Sequence, residues 1–211
     1  ASGMTNLNAL PDDLPIPIDD GAAKHLIGLN LPSVSLRSTD ETMINPALLS
    51  GLTVIYCYPR TGQPGVALPD NWDLIPGARG CTPQACSYRD HHAELKSMGV
   101  ALFALSTQTH AYQKEMAERL HLTFPVLSDE TLQFASALSL PTFECEGQTL
   151  MKRLLAVVTG DEPVDALQVI ADARSMASAL PNSARVSRLY WSSVSMRDAS
   201  LSRSEERRVG K

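Results

Sequence analysis

Two cysteines, Cys81 and Cys86, lie five positions apart in the stretch ARGCTPQACSYRD, residues 78–90. They can be inert buried side chains, they can bind zinc together with His91 or His92, or one can act as a nucleophile that the other recaptures. A structural zinc site has about four ligands, and the other histidines of the chain are scattered. The shortage of nearby ligands makes a zinc site less favoured than a reactive pair of cysteines. The zinc site and the inert buried thiols stay open as alternatives.

The local sequence predicts a helix over residues 83–98. Thr82 is a candidate N-cap, Pro83 suits the first helical position, and Gly99 suits the C-terminal stop. Cys81 would then lie beside the unpaired N–H groups and the positive end of the helix, which stabilise a thiolate. The sequence therefore predicts that Cys81 is the reactive thiol.

Cys86 falls in the second turn of the same predicted helix. Five helical residues rise by about 7.5 Å and rotate by roughly 140°, so the two cysteine Cα atoms are expected roughly 8–9 Å apart. A disulfide needs Cα atoms about 4.4–6.8 Å apart. We therefore expect Cys81 and Cys86 to form a disulfide only if the first turns of the helix unwind.

The rest of the chain alternates predicted strands and helices. The continuous apolar run GLTVIYCYPR suits a strand buried on both faces, and amphipathic segments suit helices that pack against it. This order predicts an α/β fold with helices on both faces of a sheet. The predicted strands are residues 51–60, 100–107 and 124–129, with a hairpin over 142–161 that turns at Glu146-Gly147-Gln148, and the other predicted helices are 111–122, 131–140 and 163–180.

Length, charge and composition narrow the class of protein. A net charge of −5 over 211 residues gives no reason to expect a nucleic-acid or membrane partner. Four cysteines are too few for a disulfide scaffold, and the first residues show no secretory signal, so we expect a cytoplasmic protein. The predicted organisation is an N-terminal arm (1–30), one domain (31–180) and a disordered tail (181–211) rich in Ser and Arg.

The segment GCTPQACSYRD resembles the GCT-x-x-A-C-x-F-R-D signature of the Q-type (bacterioferritin-comigratory) peroxiredoxins. The segments LPSVSLRSTD, VIYCYP, GVALFALST, FPVLSDE and KRLLAVV follow in that family's order, so the resemblance covers residues 31–158. It implies a thioredoxin-like fold with a central mixed sheet flanked by helices on both faces. By position it implies that Cys81 is the peroxidatic cysteine and Cys86 the resolving one, that Pro59 shields the nucleophile from water, and that Arg153 lies near the thiolate.

The loop before Cys81 departs from the family pattern. Pro59 and Cys81 are 22 positions apart, and Ala78 stands three positions before the cysteine, where the family has Thr or Ser. Thr61 is the candidate for the missing hydroxyl, on condition that the inserted loop folds out and back. A second alignment, with the PGAF-T-P-x-C signature of another peroxiredoxin group, would make Cys86 the nucleophile but leaves Cys81 without a role.

The resemblance implies reduction of hydrogen peroxide or organic hydroperoxides, with regeneration by a thioredoxin-like reductant and no need for metal, flavin or haem. The protein would be a monomer or a homodimer. Two other functions stay open. One is a thioredoxin-fold disulfide oxidoreductase, which would prefer two residues between its cysteines. The other is a non-catalytic redox-sensing module that uses the loop around Trp72. Cys57 and Cys145 are expected to be structural.

Overall fold

A seven-stranded sheet forms the centre of the computed structural model, which describes residues 6–7, 10–15, 20–26, 29–159 and 189–193. Three helices and a separate two-stranded hairpin pack around this sheet. The strands are β1 (Leu36–Ser38), β2 (Met43–Ile44), β3 (Leu52–Cys57), β4 (Val100–Ser106), β5 (Val126–Ser128), β6 (Thr142–Cys145), β7 (Gln148–Met151), β8 (Leu154–Thr159) and β9 (Leu189–Ser193), and the helices are α1 (Cys81–Ser97), α2 (His110–Arg119) and α3 (Gln133–Leu138).

The strand order of the main sheet is β2-β1-β5-β4-β3-β8-β9. Strands β3, β4 and β5 are parallel, because α1 connects β3 to β4 and α2 connects β4 to β5 as crossovers. Strand β8 runs antiparallel to β3, and β1 runs antiparallel to β5. The sheet is therefore mixed, as the resemblance implied.

Residues of β3 alternate between the two faces of the sheet. Val54 and Tyr56 pack in one core cluster with residues of α1 and α2, whereas Ile55 and Cys57 pack in a second cluster with residues of α3. Both clusters are apolar, which explains why β3 reads as a continuous apolar run rather than an alternating one. The prediction of helices on both faces is confirmed.

The predicted hairpin is partly wrong. Its turn is correct, since Glu146 and Gly147 adopt φ values of 49° and 74° between the antiparallel strands β6 and β7. The second strand, however, does not continue to residue 161. It is interrupted at Lys152 and Arg153, and the following strand β8 leaves the hairpin to pair with β3. This interruption places Arg153 between two sheets.

The two ends of the chain are described only in part. Strand β9 lies within the predicted tail (181–211) and pairs with β8 in parallel. The predicted helix at 163–180 and the rest of the tail lie outside the described residues. Within the predicted arm, Ala23 and Leu26 pack into the α3-side core. In the described part of the chain, no helix is both long enough and apolar enough to cross a membrane.

Candidate active site

Cys81 is the first residue of α1, so the helix begins two positions earlier than the sequence predicts. The helix is preceded by Gly80 at φ 97°, a left-handed conformation that glycine adopts without strain, so Thr82 is not the N-cap. The first helical hydrogen bond runs from the N–H of Gln84 to the carbonyl of Gly80 at 3.0 Å. Gly99, at φ 73°, follows the end of the helix as predicted. The Cys81 sulfur is thus held within the first turn of the helix.

The Cys81 sulfur is buried and has two polar neighbours. Its side chain is only 3 % exposed. The thiol donates to the carbonyl oxygen of Ala78 over 3.6 Å, and the Nη2 group of Arg153 donates to Sγ over 3.0 Å. A cation in hydrogen-bond contact with sulfur, together with the helix N-terminus, stabilises negative charge on that atom.

Arg153 is held by a set of acceptors around the start of α1. Its Nε donates to the carbonyl of Gly77 and its Nη2 to that of Arg79, both at 2.6 Å, and its Nη1 donates to Oε1 of Gln84. The planar guanidinium has donors in a fixed fork, so these contacts fix its orientation toward Cys81. Arg153 is 5 % exposed, and within the described ranges no carboxylate pairs with it. Its charge is therefore directed at the sulfur.

Gln84 is a site residue that the sequence reasoning missed. It lies one helical turn after Cys81, so both side chains project from the same face of α1. It is fully buried, and its Nε2 has no hydrogen-bond partner among the described residues. The signal in the sequence was the spacing, because a polar residue three positions after a candidate reactive cysteine shares its helix face.

Cys86 lies in the second turn of the same helix, half-buried against the core. Burial raises the pKa of its thiol, so Cys86 is protonated at neutral pH while the helix is intact. All four cysteines are free thiols. The alignment that makes Cys86 the nucleophile is therefore disfavoured, since the arginine contact belongs to Cys81.

Pro59 and Thr61 follow the end of β3, and both are buried. The backbone N–H and the hydroxyl of Thr61 both donate to Oε1 of Gln108, at 3.2 and 3.3 Å. Tyr112 donates its hydroxyl to the carbonyl of Thr61 at 3.0 Å. Among the described residues no hydrogen bond joins Thr61 to Cys81. In the structure Arg153 therefore contacts the Cys81 sulfur, whereas the Thr61 hydroxyl is hydrogen-bonded to Gln108.

The inserted loop before α1 folds against the β6–β7 hairpin. Trp72 is 3 % exposed and forms a cluster with Ala78 and Leu150, with its ring 6.3 Å from that of Phe143. The backbone N–H of Asp70 donates to the Glu146 carboxylate at 3.2 Å. The loop therefore covers the side of the site that holds Ala78, the acceptor of the Cys81 thiol.

The zinc interpretation finds no support in the described ranges, where no group of three His, Cys, Asp or Glu side chains could hold a metal ion. The Nδ1 atom of His91 bonds to the Ser87 carbonyl and that of His92 to the Thr123 hydroxyl, both at 2.8 Å. Each histidine thus has a hydrogen-bond partner other than the two cysteines.

Comparison with protein-family models identifies the family of this chain. The Redoxin family model matches residues 27–178, which is more than half of the chain. The chain belongs to the Redoxin family. Its thioredoxin-like fold, with a mixed sheet and helices on both faces, follows from this membership together with the topology above.

Two curated relatives of this chain are Peroxiredoxin Bcp and a chloroplastic Peroxiredoxin Q. The chain is 34% identical over 103 residues to Peroxiredoxin Bcp of Escherichia coli (strain K12), covering 48% of this chain and 56% of that protein. It is 30% identical over 104 residues to Peroxiredoxin Q, chloroplastic, of Oryza sativa subsp. japonica, covering 49% of this chain and 41% of that protein. The chain thus spans about half the length of these curated relatives.

The fold is shared with a solved structure. A cysteine-to-serine mutant of PrxQ from Xylella fastidiosa superposes with a TM-score of 0.51 at 14% identity, over 72% of this chain and 96% of that one. At that identity the likeness concerns the fold alone.

Proposed function

We propose that this Redoxin-family protein is a thiol peroxidase with Cys81 as the peroxidatic cysteine. The observation that supports this most directly is the 3.0 Å contact between the Arg153 guanidinium and the Cys81 sulfur at the start of a helix. Peroxide reduction needs a thiolate, and a neighbouring cation together with a helix N-terminus favours the thiolate over the thiol. The substrates would be hydrogen peroxide or organic hydroperoxides.

In the first step the Cys81 thiolate attacks one oxygen of the peroxide. An S–O bond forms, the O–O bond breaks, and the electron pair leaves with the second oxygen, which takes up a proton and departs as water or an alcohol. The sulfur is oxidised to a sulfenic acid. Arg153 stabilises the negative charge that develops on the departing oxygen.

Pro59 and Thr61 shape the entrance to this site in the proposed mechanism. Pro59 follows β3 directly and shields the sulfur from bulk water. Thr61 is proposed as the peroxide-orienting hydroxyl. Because its proton points to Gln108, its oxygen lone pairs can accept a hydrogen bond from the peroxide. This would replace the hydroxyl that the family has at the position of Ala78.

In the second step Cys86 resolves the sulfenic acid. The first turns of α1 must unwind, because both cysteines belong to one intact helix. The Cys86 sulfur then attacks the Cys81 sulfur, an S–S bond forms, and the hydroxyl leaves as water. A thioredoxin-like dithiol would restore both thiols by exchange. Free thiols are typical of a reducing compartment such as the cytoplasm, and we propose that location. The arm (1–30), domain (31–180), tail (181–211) and monomer or homodimer state also stay proposals.

Mass spectrometry after one equivalent of hydrogen peroxide tests the assignment. We expect a disulfide between Cys81 and Cys86 in the wild-type protein and a sulfenic acid on Cys81 in Cys86→Ser. Cys81→Ser should consume no peroxide, whereas Cys86→Ser should complete one turnover and then stop in the presence of thioredoxin. Cys145→Ser is the matched control and should behave as wild type. Full peroxide consumption by Cys81→Ser would refute the proposal.

A further inference from the structure

A cavity of about 320 Å³ lies at the carboxyl ends of the parallel strands β3, β4 and β5. The segments that follow these strands line it, and so do residues 148–150 of β7. Arg60 follows β3, residues 107–109 follow β4, and Glu130 and Leu132 follow β5. In open α/β sheets ligands bind outside the carboxyl ends of the strands. The volume is near the lower end of the range for small-molecule sites, roughly 300–1,000 Å³, so the cavity suits a small ligand.

The cavity carries one charge of each sign. Arg60 is half-buried, and its guanidinium carbon lies 5.9 Å from the centre of the Tyr112 ring, in a cation–π arrangement. Glu130 is exposed. Of the ion pairs found in the described ranges, none includes either of these two side chains. Arg60 and Glu130 therefore line one cavity without neutralising each other, which leaves both charges for a ligand.

Gln108 adds a hydrogen-bond donor close to the arginine. It is 9 % exposed, and its Oε1 accepts hydrogen bonds from the backbone N–H and the hydroxyl of Thr61, the residue after Arg60. Tyr112 joins the same group, because its ring faces Arg60 and its hydroxyl donates to the Thr61 carbonyl over 3.0 Å. No described residue accepts a hydrogen bond from the Nε2 group of Gln108. A buried donor without an acceptor is costly, and a ligand carboxylate would supply that acceptor.

We propose that this cavity binds a free α-amino acid with an apolar side chain. Arg60 and the Nε2 group of Gln108 donate to its carboxylate, and Glu130 accepts from its ammonium group. Leu132 and Leu150 contact its side chain. A ligand with an anion alone would also meet the Glu130 carboxylate, and one with a cation alone would meet Arg60, so a molecule with both charges is favoured over either.

This site is separate from the candidate active site. The two groups that bond to the Cys81 thiol, Arg153 and the carbonyl of Ala78, do not line the cavity. Amino-acid binding therefore goes beyond the proposed peroxidase function and does not depend on it. Because the test below measures binding without any peroxide, failure of one proposal leaves the other standing.

Three probes test the ligand class on the wild-type protein: L-leucine, N-acetyl-L-leucine, which lacks the ammonium charge, and L-leucinamide, which lacks the carboxylate. Dissociation constants are measured by nuclear magnetic resonance titration of the isotope-labelled full chain. We expect L-leucine to bind with a Kd on the order of 1 mM, as suits so small a ligand, and to shift the backbone amides of Arg60 and residues 107–109. Each derivative should bind about tenfold more weakly, because it loses a charge-assisted hydrogen bond.

Two substitutions connect each charge of the ligand with its side chain. Arg60→Gln should weaken binding of L-leucine about tenfold but should not weaken binding of L-leucinamide further. Glu130→Gln should weaken binding of L-leucine by a similar factor but should not weaken binding of N-acetyl-L-leucine further. Arg37→Gln and Glu94→Gln are the matched controls, since both residues are exposed and neither lines the cavity. These controls should bind L-leucine as the wild-type protein does.

Several results would overturn the inference. One is equal dissociation constants for the three probes, or no saturable binding of L-leucine, and this result does not depend on how any variant folds. A second is a set of shifted amides that lies away from the cavity. A third is unchanged L-leucine binding in folded Arg60→Gln or Glu130→Gln. Tighter binding of glycyl-L-leucine than of L-leucine would also overturn it, since the cavity would then bind the ends of a peptide.

Discussion

Cys57 and Cys81 are equally buried, each 3 % exposed, yet they lie on opposite faces of the sheet. Cys57 ends β3 and packs among apolar side chains of the α3-side core. Burial, with a smaller contribution from the negative charge of Asp129, raises its pKa to about 12. Cys81 instead starts a helix and receives a hydrogen bond from Arg153. The same exposure thus accompanies two different chemical environments.

The difference shows that burial alone does not decide what a thiol does. Desolvation disfavours the thiolate at both positions, because a charged sulfur loses its hydration in either core. At Cys81 the guanidinium of Arg153 donates a hydrogen bond to the sulfur, and the residue starts a helix, whose N-terminus is positive. At Cys57 no such group is found in the described part of the structure. We therefore expect peroxide to react with Cys81 and not with Cys57.

The largest effect is expected when the positive charge of Arg153 is removed from Cys81. Arg153→Met should slow the oxidation of Cys81 by hydrogen peroxide by about 100- to 1000-fold, since loss of one stabilising donor costs about that much in comparable sites. The rate of sulfenic acid formation, trapped with a dimedone reagent and located by mass spectrometry, measures it. Oxidation of Cys57 should not change.

Arg153 also donates hydrogen bonds to the carbonyls of Gly77 and Arg79, so Arg153→Met could disturb the loop before α1. A second variant is needed to separate loss of the charge from loss of this local structure. Arg153→Lys keeps the charge with fewer donors and should fall between wild type and Arg153→Met. A folded Arg153→Met protein that is oxidised at the wild-type rate would show that the cation is not what distinguishes Cys81 from Cys57.

A smaller effect is expected from the partner of the arginine. Gln84→Leu removes the acceptor of Arg153 Nη1 but leaves its two backbone acceptors. Cys81 oxidation should slow by about tenfold, near the lower end of what a hydrogen bond to a charged group contributes. Gln113→Leu is the matched control, since it removes another fully buried glutamine, on α2. Equal slowing in both variants would indicate a general loss of packing instead.

The smallest effect concerns Cys57 and pH. Its folded pKa of about 12 lies above the ordinary value of 9.0, so between these values the folded thiol keeps a proton that the unfolded one has lost. The free energy of unfolding therefore falls as pH rises through this window. By pH 9.5 the loss due to Cys57 should be about 0.8 kcal/mol.

Denaturant unfolding of wild type and Cys57→Val at pH 7.5 and pH 9.5 measures this contribution. The valine variant should lose about 0.8 kcal/mol less than wild type over the same interval. The buried tyrosines, whose pKa values burial also raises, titrate in both proteins and cancel in the difference. An identical loss in both proteins would mean that Cys57 is not in an apolar site.

Several elements could be predicted from local sequence, because their causes are local. The apolar run of β3, the amphipathic pattern of α2 and the left-handed Gly99 after α1 each follow from residues within a few positions. The start of α1 was predicted two residues too late. The reason is that Gly80 adopts a left-handed conformation and takes the cap position that the hydroxyl of Thr82 would otherwise suit.

Other features depended on partners far away in the chain. The interruption after β7 occurs because β8 finds its partner in β3, about a hundred residues earlier, and local pattern does not indicate that pairing. Likewise, the partner of the Thr61 hydroxyl is Gln108, 47 positions away. The sequence identified Thr61 as a candidate hydroxyl but did not indicate which residue its hydroxyl contacts.

The sequence by itself determined that Cys86 lies in a helix and that Cys81 lies at its start, where the helix dipole is positive, because helix geometry depends on neighbours in the chain. Only the tertiary structure decided which thiol meets a cation. Arg153 is 72 positions from Cys81, and the two meet because β8 returns to the middle of the sheet beside β3 and starts at the edge where α1 begins.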